Sequence, residues 1–118
     1  MEFDTFYFGE LVSNTNYVRL TDKEEMDRQN KHLKFLADLN SEGVLLAAGP
    51  FEGGGGIVFF DAERFTEEEI QKRLDQDPHL IAGAHHIKLR KWFVPKHTLS
   101  FTTALYQKMK FPKEMSDV

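Results

Sequence analysis

The sequence predicts a single small α+β domain in which the elements follow the order strand, helix, strand, strand, helix, strand. Three observations predict it. The chain has 118 residues of ordinary globular composition, 41% hydrophobic and 29% charged. Two segments begin with a paired helix-start signal and carry apolar residues at helical spacing. The segments around them are short, apolar or aromatic, and are separated by turn-forming residues, as strands are.

The first strand is predicted over residues 3–12, where aromatic and β-branched residues dominate. The first helix follows it. Thr21 and Glu24 have the spacing of a capping box, in which each side chain bonds a free backbone N–H of the other residue. Gly43 stands where a residue of left-handed conformation would end the helix. The apolar residues that fall on one arc of this helix are Met26, Leu33, Leu36 and Leu39.

A strand–turn–strand unit is predicted next. Residues 44–49 form an apolar run that is too short for another helix, and Pro50 either ends it or places its last part at a sheet edge. Residues 53–56 are four consecutive glycines and predict a flexible hairpin connection. Residues 57–60 form the returning strand. The short connection makes the two strands antiparallel neighbours.

The second helix repeats the start signal of the first. Thr66 and Glu69 form another capping box, and Ile70 and Leu74 are predicted to face inward. Pro78 disfavours helical geometry at the residue before it, so this helix is predicted to end there or earlier. The last core strand is predicted over residues 86–94.

This order is the split βαβ, or ferredoxin-like, arrangement, in which both helices cover one face of a four-stranded antiparallel sheet. The other face of the sheet would then need a cover, and a second copy of the chain is the simplest one. Residues on the last strand predicted to lie on that face are His86, Lys88, Arg90 and Trp92.

One domain is predicted over residues 1–94, with a C-terminal extension over residues 95–118. Two interpretations of the extension stay open. Residues 98–102 could add a strand, or they could form an arm that reaches across a dimer. The sequence does not assign a role to this segment.

The composition and net charge of the chain exclude several classes of protein. The chain has no cysteine, which excludes disulfide scaffolds, zinc–thiolate sites and cysteine nucleophiles. Its net charge of −4 argues against nucleic acid as a partner, and the short basic run at 85–91 is interpreted as a solvated edge or an anion patch. No apolar run approaches the ~20 residues of a membrane helix. Together with an N-terminus that lacks a basic signal segment, this predicts a cytoplasmic protein without membrane contact.

His32 is the residue that most strongly suggests chemistry. It falls inside the apolar arc of the first helix, where an imidazole must find a hydrogen-bond partner. Two interpretations stay open, a core histidine bonded to a backbone carbonyl and an acid–base residue. Asp77, before Pro78, is the second candidate, either as a partner for His32 or as an ordinary turn aspartate.

The remaining histidines give weaker indications of a functional site. His85 and His86 are adjacent in a strand, so their side chains point to opposite faces. His79 could lie near Asp77, but no spacing supports a metal site made of His32, Asp77 and His79. We therefore predict no metal and no organic cofactor.

An ordered set of short motifs resembles the YciI-like (YCII-related) family over residues 3–94. The motifs are His32-Leu33, Gly43 to Pro50, Gly56, Asp77-Pro78, Ala82-Gly83 and Trp92. The resemblance implies a dimeric α+β barrel, in which the sheets of two ferredoxin-like protomers pack together. It also implies a pocket at which His32 and Asp77 form the active pair. One relative in that family is a dehydrochlorinase acting on a chlorinated hydroxyquinol.

The chain departs from the family pattern at two places. His79 stands where the family often has an aromatic residue, which changes the polarity of the pocket, and the extension runs past the usual domain end.

The sequence is compatible with three functions, which experiments must distinguish. The first is a cofactor-independent enzyme for a small molecule, of lyase, isomerase or dehydrohalogenase type, with His32 as the base and Asp77 as its orienting group. The second is a non-catalytic dimer that binds a small ligand or serves as an accessory subunit, and the third is a structural dimer without a site.

Overall fold

The structure is a computed structural model that describes residues 1–99 of the chain. It has four strands and three helices. In chain order they are β1 (Phe3–Ser13), α1 (Asp22–Ser41), β2 (Leu45–Pro50), β3 (Gly56–Asp61), α2 (Glu67–Leu74), α3 (Pro78–Ile81) and β4 (His85–Pro95). The predicted α+β class and the order of the four strands and the two longer helices are confirmed.

The four strands form one antiparallel sheet in the order β2-β3-β1-β4. The strand β1 is central and pairs over its whole length with β4, from Phe3 opposite Pro95 to Ser13 opposite His85. The predicted hairpin of β2 and β3 is present, with a local irregularity between Leu45 and Ala47. This pairing brings the C-terminal end of β1 beside the first residues of β4, where the candidate site lies.

The main core cluster fills the space between the helices and one face of the sheet, and a smaller cluster of Phe6, Leu46 and Val94 is buried beside Phe59 on the other face. Hydrophobic side chains that are 0% exposed come from α1, β2, β3 and α2, so all layers meet in one cluster. They are Leu39, Leu45, Phe60 and Ile70. Burying a large aliphatic or aromatic side chain contributes roughly 1.5–3 kcal/mol, and this cluster therefore fixes α1 and α2 on the sheet.

The ends of the helices follow the predicted signals with one difference. The Thr66 hydroxyl accepts from the Glu69 N–H and the Glu69 carboxylate accepts from the Thr66 N–H, a complete capping box. At α1 the Thr21 hydroxyl accepts from the Glu24 N–H, but the Glu24 carboxylate accepts from the Thr21 hydroxyl instead of its N–H. Only half of the predicted box forms there.

Gly43 ends the first helix as predicted, with φ +77°. The prediction that Met26 faces inward is wrong, because its side chain is 56% exposed. Met26 lies in the second turn of α1, at the end of the helix that extends past the apolar core. The three leucines of the same arc are buried.

The short helix α3 was not predicted. Helix α2 ends at Leu74, before Pro78 as expected, but Pro78 then begins a new turn of helix. Proline is well suited to the first helical position because its φ is already helical and its missing N–H would have no partner there. Asp77 caps this turn by accepting from the His79 N–H at 2.9 Å.

The sheet face away from the helices carries a cluster of aromatic rings from three strands. Phe59 of β3 stacks on Trp92 of β4, with ring centroids 5.5 Å apart, and Phe8 of β1 contacts both rings. Trp92 is 40% exposed. Leu99 packs against the edge of this face, and the predicted strand or arm over residues 98–102 lies for the most part outside the described residues, as does the rest of the extension.

Within residues 1–99, no helix has the length and apolar character needed to cross a membrane.

Candidate functional site

Asp77 joins two helices through one carboxylate oxygen. Its Oδ1 accepts from the backbone N–H of His79 at 2.9 Å, which caps α3. The same atom lies 2.8 Å from Nδ1 of His32 on α1. Asp77 is 1% exposed, so both bonds form away from water. One buried carboxylate thereby ties α3 to α1.

His32 lies at the centre of the site and is 0% exposed. The carboxylate of Asp77 has no proton to give when it is ionised, so Nδ1 of His32 donates the hydrogen bond. Nε2 of His32 is buried and has no hydrogen-bond partner among residues 1–99. A neutral imidazole whose proton is held on Nδ1 presents a lone pair on Nε2, which is the form of a general base.

Two further histidines continue the cluster outward. The ring of His79 stacks on that of His32, with centroids 4.1 Å apart and planes inclined by 30°. The ring of His85, at the start of β4, lies 5.0 Å from that of His79. Nδ1 of His85 is also buried without a hydrogen-bond partner in the described part of the chain. Three imidazoles thus form a row from the core toward the surface.

Both ring nitrogens of His79 are bonded to side chains of α1. Nε of Arg28 donates to Nδ1 at 3.1 Å, and Nε2 lies 2.7 Å from Oε1 of Gln29. Arg28 also bonds the Glu25 carboxylate and the Tyr17 hydroxyl, and its guanidinium lies over the Tyr17 ring at 4.9 Å from the centroid. Its bonds to His79, Glu25 and Tyr17 therefore hold the guanidinium in one orientation.

The electrostatic environment disfavours charge on the outer histidines. Burial lowers the pKa of His79 to about 3, and the adjacent His32 acts in the same direction, while Asp77 opposes both. Burial and His32 also lower the pKa of His85. The pKa of Glu25 is raised by burial, but hydrogen bonds from Tyr17 and the Leu20 N–H outweigh this and lower it overall. Glu25 thus stays ionised beside Arg28.

Two cavities meet at the outer histidines. One, of about 570 Å³, lies between the glycine run at 53–56 and the rings of His79 and His85. The other, of about 700 Å³, extends from the same two rings toward Tyr17 and Arg28. Small-molecule sites commonly have volumes of ~300–1,000 Å³. His32 lines neither cavity, because the ring of His79 covers it.

The structure brings His32 and Asp77 together, as the sequence suggested, and His32 bonds that carboxylate instead of a backbone carbonyl. Asp77 combines the two roles that were open for it, since it caps its own turn and also holds His32. The expected exposure of the pair to a pocket is not found. Their catalytic role stays a prediction.

Several residues of the site were not singled out from the sequence. Arg28 and Gln29 precede His32 by four and three positions, which places all three on one face of a helix, and this spacing could have identified them. Tyr17 and Glu25 gave no such signal, because their roles depend on the path of the loop before α1.

No group of three or more histidine, cysteine, aspartate or glutamate side chains within residues 1–99 is arranged to hold a metal ion. The set of His32, Asp77 and His79 considered from the sequence is unsuited to a cation, because Nδ1 of His79 already accepts from the guanidinium of Arg28. The arrangement can instead accept, donate and hold protons.

No protein-family model matches the chain, and no curated protein matches it significantly. The resemblance to the YciI-like family therefore stays a prediction that the motifs alone support.

Proposed function

We propose that this protein is a cofactor-independent enzyme for a small organic molecule, of the lyase, isomerase or dehydrohalogenase type, in which His32 transfers a proton. The observation that carries the proposal is the 2.8 Å contact between Nδ1 of His32 and Oδ1 of Asp77, two residues 45 positions apart. The unpaired Nε2 of His32 supports it as well. The resemblance to the YciI-like family, itself a prediction, points to the same pair.

The chemistry needs little beyond this pair. Asp77 holds the proton of His32 on Nδ1, so Nε2 carries the lone pair that removes a proton from an acidic C–H or O–H of the substrate. The imidazolium that results is stabilised by the adjacent carboxylate, as in other histidine–aspartate pairs. The same Nε2 then returns the proton at another position or to a leaving group. An isomerase or lyase reaction is completed by these transfers, whereas in a dehydrohalogenase reaction the halide leaves as an anion and Nε2 passes its proton to water.

The substrate must reach Nε2 from the cavities, and His79 lies in the way. Its ring covers His32 and is carried by α3, a helix of only four residues. The proposed reaction therefore requires the His79 ring to move from its stacked position. Such motions of short elements accompany substrate binding in many enzymes.

The test is a screen of small molecules that carry either an acidic C–H next to a carbonyl or an acidic phenolic O–H, the latter including chlorinated hydroxyquinols. Once a substrate is found, the informative variant is His32→Asn, because its amide N–H can still donate to Asp77 while no base remains. We expect a loss of at least ~100-fold in kcat, the usual contribution of a general base. His97→Asn, which changes an exposed histidine beyond β4, is the matched control and should keep full activity. A loss of tenfold or less in His32→Asn would remove His32 from the mechanism.

A second function, non-catalytic binding of a small ligand, is favoured by one specific observation. His32 is fully buried, and both nitrogens of the cavity-facing His79 are already bonded. A binding protein would need only the cavities. Compounds that raise the melting temperature in the same screen, yet are recovered unchanged, would favour this function over catalysis.

The proposal includes a homodimer in which two open sheet faces pack together as an α+β barrel. The aromatic cluster of Phe8, Phe59 and Trp92 supports it, because contiguous apolar surface of this kind marks an interaction site. An isologous two-fold contact would bury the cluster against its own copy. The cytoplasmic location stays a prediction from the sequence.

A further inference from the structure

The stacked rings of His32 and His79 differ in which nitrogen carries the proton. Their centroids are 4.1 Å apart, so two imidazolium ions at these positions would repel each other strongly in a buried site. The two rings therefore do not both carry a charge. Each neutral ring has one N–H donor and one lone-pair acceptor, and its neighbours decide which is which.

Arg28 determines which ring nitrogen of His79 carries the proton. A guanidinium has only N–H donors and keeps its charge in proteins, so Nδ1 of His79 must accept the bond from Nε of Arg28. The proton of the neutral ring is then on Nε2. The 2.7 Å contact with Oε1 of Gln29 fits this assignment, since an amide oxygen accepts from an N–H.

Asp77 determines which ring nitrogen of His32 carries the proton. Its Oδ1 accepts from the His79 N–H as well as from His32, which is the behaviour of an ionised carboxylate. Nδ1 of His32 therefore carries the proton and Nε2 carries the lone pair. The two stacked rings have opposite tautomers.

We propose that Arg28 is a positioning residue which holds His79 as a neutral hydrogen-bond donor, so that the site pairs an acceptor on His32 with a donor on His79. The ligand that fits this pair is a small molecule whose carbonyl, enolate or phenolate oxygen takes the place of Gln29 Oε1 at Nε2 of His79. The ligand class rests on the proposed function, while the tautomers rest on the geometry alone.

The charged and titratable groups around His79 all bear on this assignment. His32 and Arg28 face it from α1, and Glu25 is paired with Arg28. Asp77 faces it from the N-cap of α3, and His85 from β4. Burial and the other two histidines lower the pKa of His79, and Arg28 lowers it further, while Asp77 raises it. The donor form of His79 should therefore persist at neutral pH.

The first test is long-range ¹H–¹⁵N NMR of the full, ¹⁵N-labelled protein between pH 6 and 8. We expect the pattern of a proton on Nε2 for His79, without titration of this ring between pH 6 and 8, and of a proton on Nδ1 for His32. The wild-type spectrum alone decides the tautomers. A proton on Nδ1 of His79, or titration of His79 near the ordinary histidine pKa, would overturn the inference.

Two variants test whether Arg28 is the cause. Arg28→Met removes the donor, and we expect the His79 spectrum to change to a mixture of both tautomers. Arg28→Lys keeps a cationic donor and should restore most of the Nε2–H form. Arg19→Met is the matched control, because Arg19 lines the larger cavity but bonds Asp22 on the surface. A pure Nε2–H pattern in folded Arg28→Met would remove Arg28 from the role proposed here.

The ligand class is tested with benzoate and benzamidine, which share a ring but offer oxygen acceptors and N–H donors, respectively. We expect millimolar benzoate to shift the Nε2 resonance of His79 and benzamidine to leave it unchanged. The reverse result, or no shift with either compound, contradicts the ligand class.

These outcomes do not depend on whether the proposed catalysis takes place. If the tautomers are as stated and His32→Asn keeps full turnover, the proposed function fails and the inference about Arg28 stands.

Discussion

His79, and not His32, forms the wall of the cavities, and its ring lies on that of His32 with the centroids 4.1 Å apart. The residue with the free base nitrogen is thus one ring removed from the space a ligand can occupy. The predictions below test the bonds that hold this arrangement, its response to pH, and the two regions of the sheet on which the fold and the proposed dimer depend.

Replacing Asp77 should destabilise the protein by more than a surface substitution does. Asp77→Ala removes the cap of α3 and leaves the N–H groups of His32 and His79 without an acceptor in a buried site. Each unpaired buried group costs ~1–3 kcal/mol, so we expect a loss of about 2–4 kcal/mol in the free energy of unfolding, measured with urea. Asp75→Ala, two residues earlier on the exposed end of α2, is the control and should lose less than ~1 kcal/mol. Equal losses in the two variants would show that the shared carboxylate contributes little.

Stability should fall as the pH is lowered from 7 to 5. The pKa of His79 is about 3 in the folded protein, against an ordinary histidine value of 6.5, so the unfolded chain binds more protons between these pH values. The contribution of His79 to the free energy of unfolding is fully present above pH 6.5. It is lost progressively below that pH, and the loss reaches about 2 kcal/mol at pH 5. His85, whose pKa is also lowered, acts in the same direction.

The measurement is urea unfolding of the wild type and of His79→Gln at pH 5, 6, 7 and 8. The variant should lose less stability on acidification because it lacks the group that titrates. His97→Asn, which changes an exposed histidine of the final turn, should retain the pH dependence of the wild type. The same slope in all three proteins would place the origin of the pH dependence in groups other than His79.

Gly56 should tolerate no side chain. A Cβ there would lie 2.7 Å from the backbone oxygen of Gly49 on the paired strand, and neither backbone can yield without breaking the hairpin. We expect Gly56→Ala to lose about 1–3 kcal/mol, the usual cost of overpacking. Gly49→Ala is the matched control because its Cβ would meet no atom within 4 Å. Thermal unfolding of the two variants should separate them clearly, and similar melting temperatures would contradict the close approach of β2 and β3.

The proposed dimer should depend on one face of β4 and not on the other. Trp92 belongs to the aromatic cluster on the open face, whereas its neighbour Phe93 contacts Phe3 on the opposite face. We expect Trp92→Glu to weaken the dimer by at least ~30-fold, as the loss of a central interface residue does, and Phe93→Glu to leave it intact. Sedimentation at several concentrations measures this. A wild-type protein that stays monomeric at micromolar concentration would rule out the barrel.

The sequence predicted the strands and the longer helices because their signals are local. The glycine run before β3, the capping pair of Thr66 and Glu69, and Gly43 each determine backbone geometry within a few residues. The position of His32 in the apolar arc also predicted a buried polar group that needs a partner.

The rest depends on contacts between residues far apart in the chain. Asp77 and Pro78 are the residue types of a helix N-cap and first helical position, but the same pair also fits a simple turn, and the choice between the two depends in part on His32, 45 residues away. The bond from Arg28 to His79 spans 51 positions and follows from the packing of α3 on α1. Met26 matches the helical period but lies where no sheet residue covers it. Periodicity identifies a face of a helix and does not show how far the core extends along it.

The shared oxygen of Asp77 also affects how this residue should be interpreted in related sequences. Since one carboxylate both begins α3 and holds His32, selection for a folded chain and selection for the proposed activity would act on the same atom. A relative that had lost all catalysis would still be under pressure to keep its aspartate. An Asp-Pro pair at this position in another sequence is therefore a sign that the helical turn is present, and only the histidine facing it can indicate the chemistry.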